Sequence, residues 1–234
     1  MYLAGSHDML ADALLAVPRD TVEFSAVEPL ACAIHAAHQS QRPTTEPKLV
    51  LGAGFFGYLL YCYLESVGTH VTLANRTRDR LDMLKQHAAS LTVAYDLARH
   101  GGQFATVFLM QARISRDDIA LAITLVRDGG EIVLFGAVDP AEDAILFAAR
   151  KQQHRIPRFD GQKSYFLQGT LDATRSDLKE SAARLDHPSF SQKAAAIFAR
   201  PLTFEQGAAH LTERGKSPRS YHKQVVALKQ PSVP

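Results

Sequence analysis

One short glycine motif constrains this chain more than any other feature. An apolar β run over residues 49–51 is followed at once by Gly52-Ala53-Gly54-Phe55-Phe56-Gly57, which opens an apolar helical stretch over residues 55–67. The pattern G-x-G-x-x-G between a strand and a helix predicts a site for the diphosphate of a dinucleotide. Gly52 would permit the tight turn, Gly54 the approach of the backbone to the phosphates, and Gly57 the packing of the helix on the strand. A turn that is merely tight, with no ligand, remains the alternative.

The segments after this motif alternate between strand-like and helical patterns. The strand-like runs are residues 70–74, 91–94, 105–110, 131–135 and 164–168, and the helical ones are residues 77–87, 116–127, 143–153, 172–185 and 192–198. Such alternation predicts an α/β fold with a doubly wound parallel sheet, a Rossmann fold, whose crossovers are right-handed. Gly129-Gly130 is predicted to turn from helix to strand, and Gly136 to bend the chain at the carboxyl edge of the sheet.

The chain is predicted to have three parts. Residues 1–46 contain short apolar runs and a helical pattern over 27–38, and they end in a linker rich in Gln, Thr and Pro. Residues 47–200 form the dinucleotide-binding domain. Residues 201–234 are expected to supply a helix and a strand that pack back on the N-terminal segment.

The end of the second predicted strand indicates which dinucleotide binds. An NAD enzyme usually has a carboxylate there for the ribose hydroxyls, whereas this chain has Asn75-Arg76-Thr77-Arg78. A neutral amide followed by two arginines favours a 2′-phosphate, so we expect NADP(H). Alternatively, the arginines are exposed residues at a helix start. The predicted cofactor-binding residues are Gly52, Gly54, Phe55, Phe56, Gly57, Asn75, Arg76, Thr77, Arg78 and Gly136.

Composition excludes several classes of partner. The 26 basic and 24 acidic side chains leave a formal net charge of +2, which argues against a nucleic-acid platform. No apolar run is long enough to span a membrane, and residues 1–8 lack the pattern of a secretory signal. The two cysteines, Cys32 and Cys62, make neither a disulfide framework nor a four-cysteine zinc lobe. We therefore expect a cytoplasmic protein.

Several segments together resemble the medium-chain dehydrogenase/reductase family, which includes the zinc-type alcohol, sorbitol and threonine dehydrogenases. The resemblance rests on residues 27–36 (VEPLACAIHA), 49–54 (LVLGAG), 128–136 (DGGEIVLFG), 201–205 (PLTFE) and 223–226 (KQVV). It covers the later two-thirds of such a protein. It implies a nicotinamide cofactor and an alcohol or carbonyl substrate.

The departure from the family concerns the zinc site. Members begin with a β-rich, GroES-like catalytic domain that binds the catalytic zinc, and residues 1–26 correspond at most to its last strands. Of that site only Glu28 remains, similar to a glutamate that can approach zinc in the polyol and threonine branch. One carboxylate does not hold a zinc ion, so we expect no metal.

Three residues are candidates for catalysis. Glu28 comes from the resemblance, and His7 and His35 are possible general acids for a carbonyl oxygen if they line the cleft. Two functions follow: an NADP(H)-dependent oxidoreductase, which we favour, and an inactive NADP(H)-binding regulatory or scaffold protein. The resemblance also implies a homodimer in which residues 164–168 extend the sheet across a two-fold axis.

Overall fold

The computed structural model describes residues 21–198, except for 89, 141–142 and 153–154, together with residues 15, 17, 18 and 206. The predicted catalytic residue His7 lies outside the described residues. Most of the predicted GroES-like remnant also lies outside the described residues, and only residues 15, 17, 18 and 21–26 of it are described. Of the part beyond residue 198, only Gln206 is described.

The described part contains nine strands and seven α-helices. The strands are β1 Lys48–Leu51, β2 Val71–Ala74, β3 Val93–Ala94, β4 Phe104–Leu109, β5 Arg113–Ile114, β6 Val126–Leu134, β7 Ala137–Val138, β8 Arg155–Phe159 and β9 Ser164–Gly169. The helices are α1 Val27–Gln39, α2 Phe55–Ser66, α3 Arg78–His87, α4 Arg116–Leu125, α5 Ala144–Gln152, α6 Arg175–Asp186 and α7 Pro188–Ala195. Short 3-10 helices cover Val22–Ala26 and Leu97–His100.

The main sheet has seven strands in the order β3-β2-β1-β4-β6-β9-β8. All neighbours are parallel except β8, which pairs antiparallel with β9. Counted along the chain, the six parallel strands have the order 3-2-1-4-5-6 of a Rossmann fold, which confirms the predicted fold class. The strand order reverses between β1 and β4, and ligands of open α/β sheets bind outside the carboxyl ends of the strands at such a point.

Two apolar layers sandwich the sheet. Alternate residues of a strand point to opposite faces, so Val50 packs with α1, α2 and α6 on one face, while Leu49 and Leu51 pack with α4 and α5 on the other. Both layers are fully buried at their centres. They hold the carboxyl ends of β1, β4 and β6 at one edge.

The start of β6 differs from the sequence prediction. Helix α4 ends at Leu125 because Val126 is already extended, and Gly129-Gly130 lie inside β6 instead of in a turn before it. The register of β6 with β4 slips between Phe104 and Thr106. A Cβ on Gly130 would lie 2.9 Å from the carbonyl oxygen of Ala105, so glycine allows this close approach.

The strand β8 was not predicted, and it changes the expectation for the dimer. Its sequence, RIPRF, contains a proline and two arginines and so gives no apolar signal. Residues 164–168, expected to form the edge, lie in β9 between β6 and β8. At this end of the sheet, the outermost strand of the described residues is therefore β8. In the described residues, no helix has both the length and the apolar character to cross a membrane.

Candidate dinucleotide site

The turn after β1 has the geometry that its glycines predict. Gly52 has a φ of +113°, which side chains rarely allow, and its N–H donates to the carbonyl of Ala74 at 2.8 Å. A Cβ on Gly57 would lie 1.8 Å from the carbonyl oxygen of Gly52. Glycine at position 57 thus lets α2 sit directly on the turn.

Gly54 differs from the other two glycines because no described residue faces it. It is the N-cap of α2, with a φ of −72°, and a Cβ built on it meets no atom of the described part of the chain within 4 Å. No side chain caps this helix, so the first N–H groups of α2 point out of the helix without an intrahelical acceptor. These amides and the helix dipole together favour an anion.

A cavity of about 390 Å³ opens in front of this turn. Its size falls in the range of about 300–1,000 Å³ usual for ligand pockets. Its lining comes from the ends of β1, β4 and β6 and from α5: Gly54, Phe55, Phe56, Met110, Gln111, Ala112, Phe135, Gly136, Ala137 and Arg150. The buried Oε1 of Gln111 has no hydrogen-bond partner in the part of the chain that the structure describes.

Two phenylalanines of the motif form an apolar wall. The ring centre of Phe56 lies 5.0 Å from that of Phe135, and the ring centre of Phe55 lies 5.5 Å from that of Phe198. The predicted cofactor residue Gly136 also lines the cavity. A Cβ on it would lie 2.0 Å from the carbonyl oxygen of Gln111, so glycine lets the chain segments after β4 and β6 meet.

Asn75 connects the turn to the end of β2. Its Oδ1 accepts a hydrogen bond from the N–H of Ala53 at 3.1 Å, and its Nδ2 donates to the carbonyl of Thr77 at 3.1 Å. Thr77 is the N-cap of α3 but makes no side-chain cap bond. The side-chain amide of Asn75 thus fixes the backbone at the position where an acidic side chain would repel a 2′-phosphate.

Arg76 reaches from the end of β2 to the start of α4. Its Nη2 lies 2.6 Å from Oδ1 of Asp118, a carboxylate that is 3% exposed, while the Arg76 side chain is 73% exposed. Burial raises the pKa of Asp118, but the hydrogen bonds from Ser115 and Arg76 outweigh it and hold that pKa below its ordinary value. Arg76 is therefore anchored at one side and open to solvent at the other.

Arg78 lies in the first turn of α3 and has two neighbouring side chains. Its Nε lies 3.9 Å from Asp82, and its guanidinium stands 4.7 Å from the ring centre of Tyr95. Tyr95 in turn donates a hydrogen bond to Asp82. The guanidinium of Arg78 thus contacts both a carboxylate and an aromatic ring.

The structure adds a residue that sequence reasoning missed, Arg150. Its Nε and Nη2 donate to the carbonyl oxygens of Phe135 and Gly136, which follow β6. Partial burial lowers the pKa of Arg150 from its ordinary value, against a weak opposite effect of Asp172. The only signal in the sequence is a basic residue near the end of an ordinary amphipathic helix.

The structure does not place Glu28 or His35 in the cavity lining. Glu28 accepts a hydrogen bond from Sγ of Cys32 at 3.1 Å, and burial, followed by this contact, raises the pKa of Cys32 to about 12. Nδ1 of His35 lies 2.9 Å from Oδ2 of Asp177 on α6. Their catalytic roles stay predictions. Within the described residues, no group of three or more His, Cys, Asp or Glu side chains is arranged to hold a metal ion.

Several solved structures superimpose on this chain. L-idonate 5-dehydrogenase of Escherichia coli superimposes with a TM-score of 0.65 at 18% identity, over 90% of this chain and 59% of that one. TarJ of S. aureus in complex with NADPH gives 0.66 at 15% identity, over 91% and 66%. A short-chain alcohol dehydrogenase of E. coli in complex with NADH gives 0.67 at 17% identity, over 93% and 63%.

These three proteins share the fold of this chain. At such low identity the likeness concerns the fold, and the chain spans 59% of the length of the idonate dehydrogenase. No family model matches the sequence. The comparison with curated proteins gives no match either.

Proposed function

We propose that the chain binds NADP(H) and transfers a hydride between its nicotinamide and an alcohol or carbonyl carbon, without zinc. The observation that carries this proposal is the turn at residues 52–57, which opens a helix start without a side-chain cap into a cavity at the switch point of a Rossmann sheet. The open space in front of Gly54 fits a bound dinucleotide. The likeness to dehydrogenase structures supports the proposed activity.

Different residues of the chain would bind different parts of the cofactor. The amides at the start of α2 bind the diphosphate, Asn75 keeps the turn in register with β2, and Arg76 presents its exposed donors to the 2′-phosphate. The apolar wall formed by Phe56 and Phe135 limits water in the cavity. When bound, the nicotinamide supplies or accepts the hydride.

NADP(H) is proposed over NAD(H) because of the charges at the end of β2. The fold itself does not decide, since its neighbours include one complex with NADPH and one with NADH. No carboxylate stands at position 75, and the carboxylate of Asp118 is buried beneath Arg76. A phosphate on the solvent side would thus meet the guanidinium first.

Arg76→Ala tests this specificity. Because hydrogen bonds to charged groups contribute about 1.5–3 kcal/mol, we expect NADPH to bind about ten- to a hundredfold more weakly, with NADH unchanged, in titrations followed by nicotinamide fluorescence. Arg99→Ala is the matched control, since Arg99 is exposed and pairs with Asp96 away from the cavity. Equal losses for NADPH and NADH would contradict the assignment.

One observation favours the second candidate, an NADP(H)-binding protein without activity. Glu28 and His35, the described candidates for catalysis, contact Cys32 and Asp177 and do not line the cavity. Oxidation of NADPH in the presence of aldehydes and ketones separates the two functions. Turnover supports the oxidoreductase, whereas tight NADPH binding without turnover of any carbonyl supports the binding protein.

A further inference from the structure

Among the described residues that line the cavity in front of α2, one is charged. Of these ten, Arg150 alone carries a charge, and most of the others are apolar or glycine. The cation is held in place by the carbonyl oxygens of Phe135 and Gly136. These acceptors orient the guanidinium but do not neutralise it.

No carboxylate among the described residues lies within ion-pair distance of Arg150. Two other arginines at the sheet edges do have such partners: Arg76 pairs with Asp118, and Arg155 pairs with Glu131. The exposed Asp172 acts on Arg150 only from a longer distance. Since burying a charge without a counter-charge is unfavourable, an unpaired guanidinium in a cavity is suited to an anionic ligand.

A second wall of the same cavity also favours an anion. Gly54, Phe55 and Phe56 form that wall, and they are the N-cap and first residues of a helix without a side-chain cap. A helix start alone attracts anions weakly, but here it lines the same cavity as a fixed cation.

We propose that Arg150 is a phosphate-binding residue whose guanidinium, together with the amides at the start of α2, holds the diphosphate of the dinucleotide from two sides. The inference rests on the proposed function and assigns the diphosphate a ligand outside the glycine motif. A phosphate or carboxylate of the substrate has the same chemistry, so the experiment separates the two sources.

The test compares two probes on the purified full chain. NADPH carries the diphosphate, whereas adenosine 2′-phosphate carries only the phosphate expected at Arg76. Arg150→Gln is expected to weaken NADPH about ten- to a hundredfold, as for a lost charged hydrogen bond, and to leave adenosine 2′-phosphate unchanged. Inorganic pyrophosphate is expected to compete with NADPH on the wild type and much less on the variant.

Two further variants control for charge and for folding. Lys151→Gln removes the same charge from the next position of α5, whose exposed side chain does not line the cavity, and should bind NADPH like the wild type. Arg150→Lys keeps the charge, and its NADPH affinity should fall between those of the wild type and Arg150→Gln.

Three outcomes would overturn the inference. In the first, Arg150→Gln binds NADPH within about twofold of the wild type, so that any anion at this residue comes from the substrate. In the second, the variant loses adenosine 2′-phosphate as strongly as NADPH, which indicates damage to the fold. In the third, the wild type binds no nicotinamide nucleotide, and the proposed function fails as well.

Discussion

The two edges of the sheet use their charges in opposite ways. At the amino edge, the buried Lys48 donates to Oγ of Ser40 and to the carbonyl of Arg42, at 3.1 and 3.0 Å. The buried Glu131 accepts from Ser40, from the backbone of Gln41 and from Arg155. This group of residues, which we call the amino-edge network, joins the linker before β1 to the sheet.

At the carboxyl edge the pattern is open. A Cβ built on Gly54 meets no atom of the described residues within 4 Å, and Arg150 has only carbonyl partners among them. Polar groups that hydrogen-bond to one another stabilise a fold, whereas polar groups without such partners in a cavity are suited to a ligand. The contrast predicts that changes at the amino edge cost more stability than changes at the carboxyl edge, which mainly alter binding.

The largest effect on stability is expected for Glu131→Ala. This change leaves the buried Lys48 without its nearest opposite charge and removes three hydrogen-bond contacts, so we expect the free energy of unfolding in urea to fall by about 3–5 kcal/mol. Glu46→Ala is the matched control, because Glu46 pairs with Arg127 in a more exposed position and should cost about 1 kcal/mol or less. Similar small losses for both variants would remove the distinction between the edges.

A smaller effect is expected for Asp118→Asn at the carboxyl edge. Asp118 receives the N–H and hydroxyl of Ser115 in a capping box and also anchors Arg76, so we expect a loss of about 1–3 kcal/mol at pH 7. Because the folded-state pKa of Asp118 is lowered, its stabilisation is present above the ordinary pKa of 3.8 and disappears as pH falls through the lower folded-state value.

The measurement is the difference in unfolding free energy between the wild type and Asp118→Asn, from pH 7 down to pH 3. The difference should be constant near neutrality and shrink below about pH 4. Ser115→Ala keeps the carboxylate but removes one of the hydrogen bonds that lower the pKa of Asp118, so its difference from the wild type should show a weaker pH dependence. A constant difference over the whole range would refute the role given to the carboxylate.

The sequence was informative where a backbone conformation demands a residue type. Gly52 is recognisable because its positive φ disfavours any side chain. Gly57 is recognisable because a Cβ there would lie 1.8 Å from the carbonyl oxygen of Gly52. The absence of a carboxylate at Asn75 is equally visible, since its place at the end of β2 follows from local periodicity. The fold class and the geometry of the turn were therefore predictable, and the preference for a 2′-phosphate stays a prediction.

What the sequence did not show depends on contacts between distant segments. Asp118, the partner of Arg76, lies 42 residues away in the sequence. The two meet because the sheet order β2-β1-β4 brings the segments that follow β2 and β4 to the same edge. Arg150 belongs to a helix whose pattern resembles any other amphipathic helix. His35 suggested acid–base chemistry by its residue type, yet the packing of α1 on α6 places it beside Asp177.

The most direct test of the dinucleotide site is NADPH binding by the wild type and by Gly54→Ala. The φ of −72° admits alanine and the added Cβ meets no protein atom, so the free energy of unfolding should change by less than about 1 kcal/mol. We predict that the wild type binds NADPH and that Gly54→Ala, whose methyl group enters the space of the diphosphate, binds at least about tenfold more weakly. A variant that binds as tightly as the wild type, or a wild type that binds no nicotinamide nucleotide, would contradict the account.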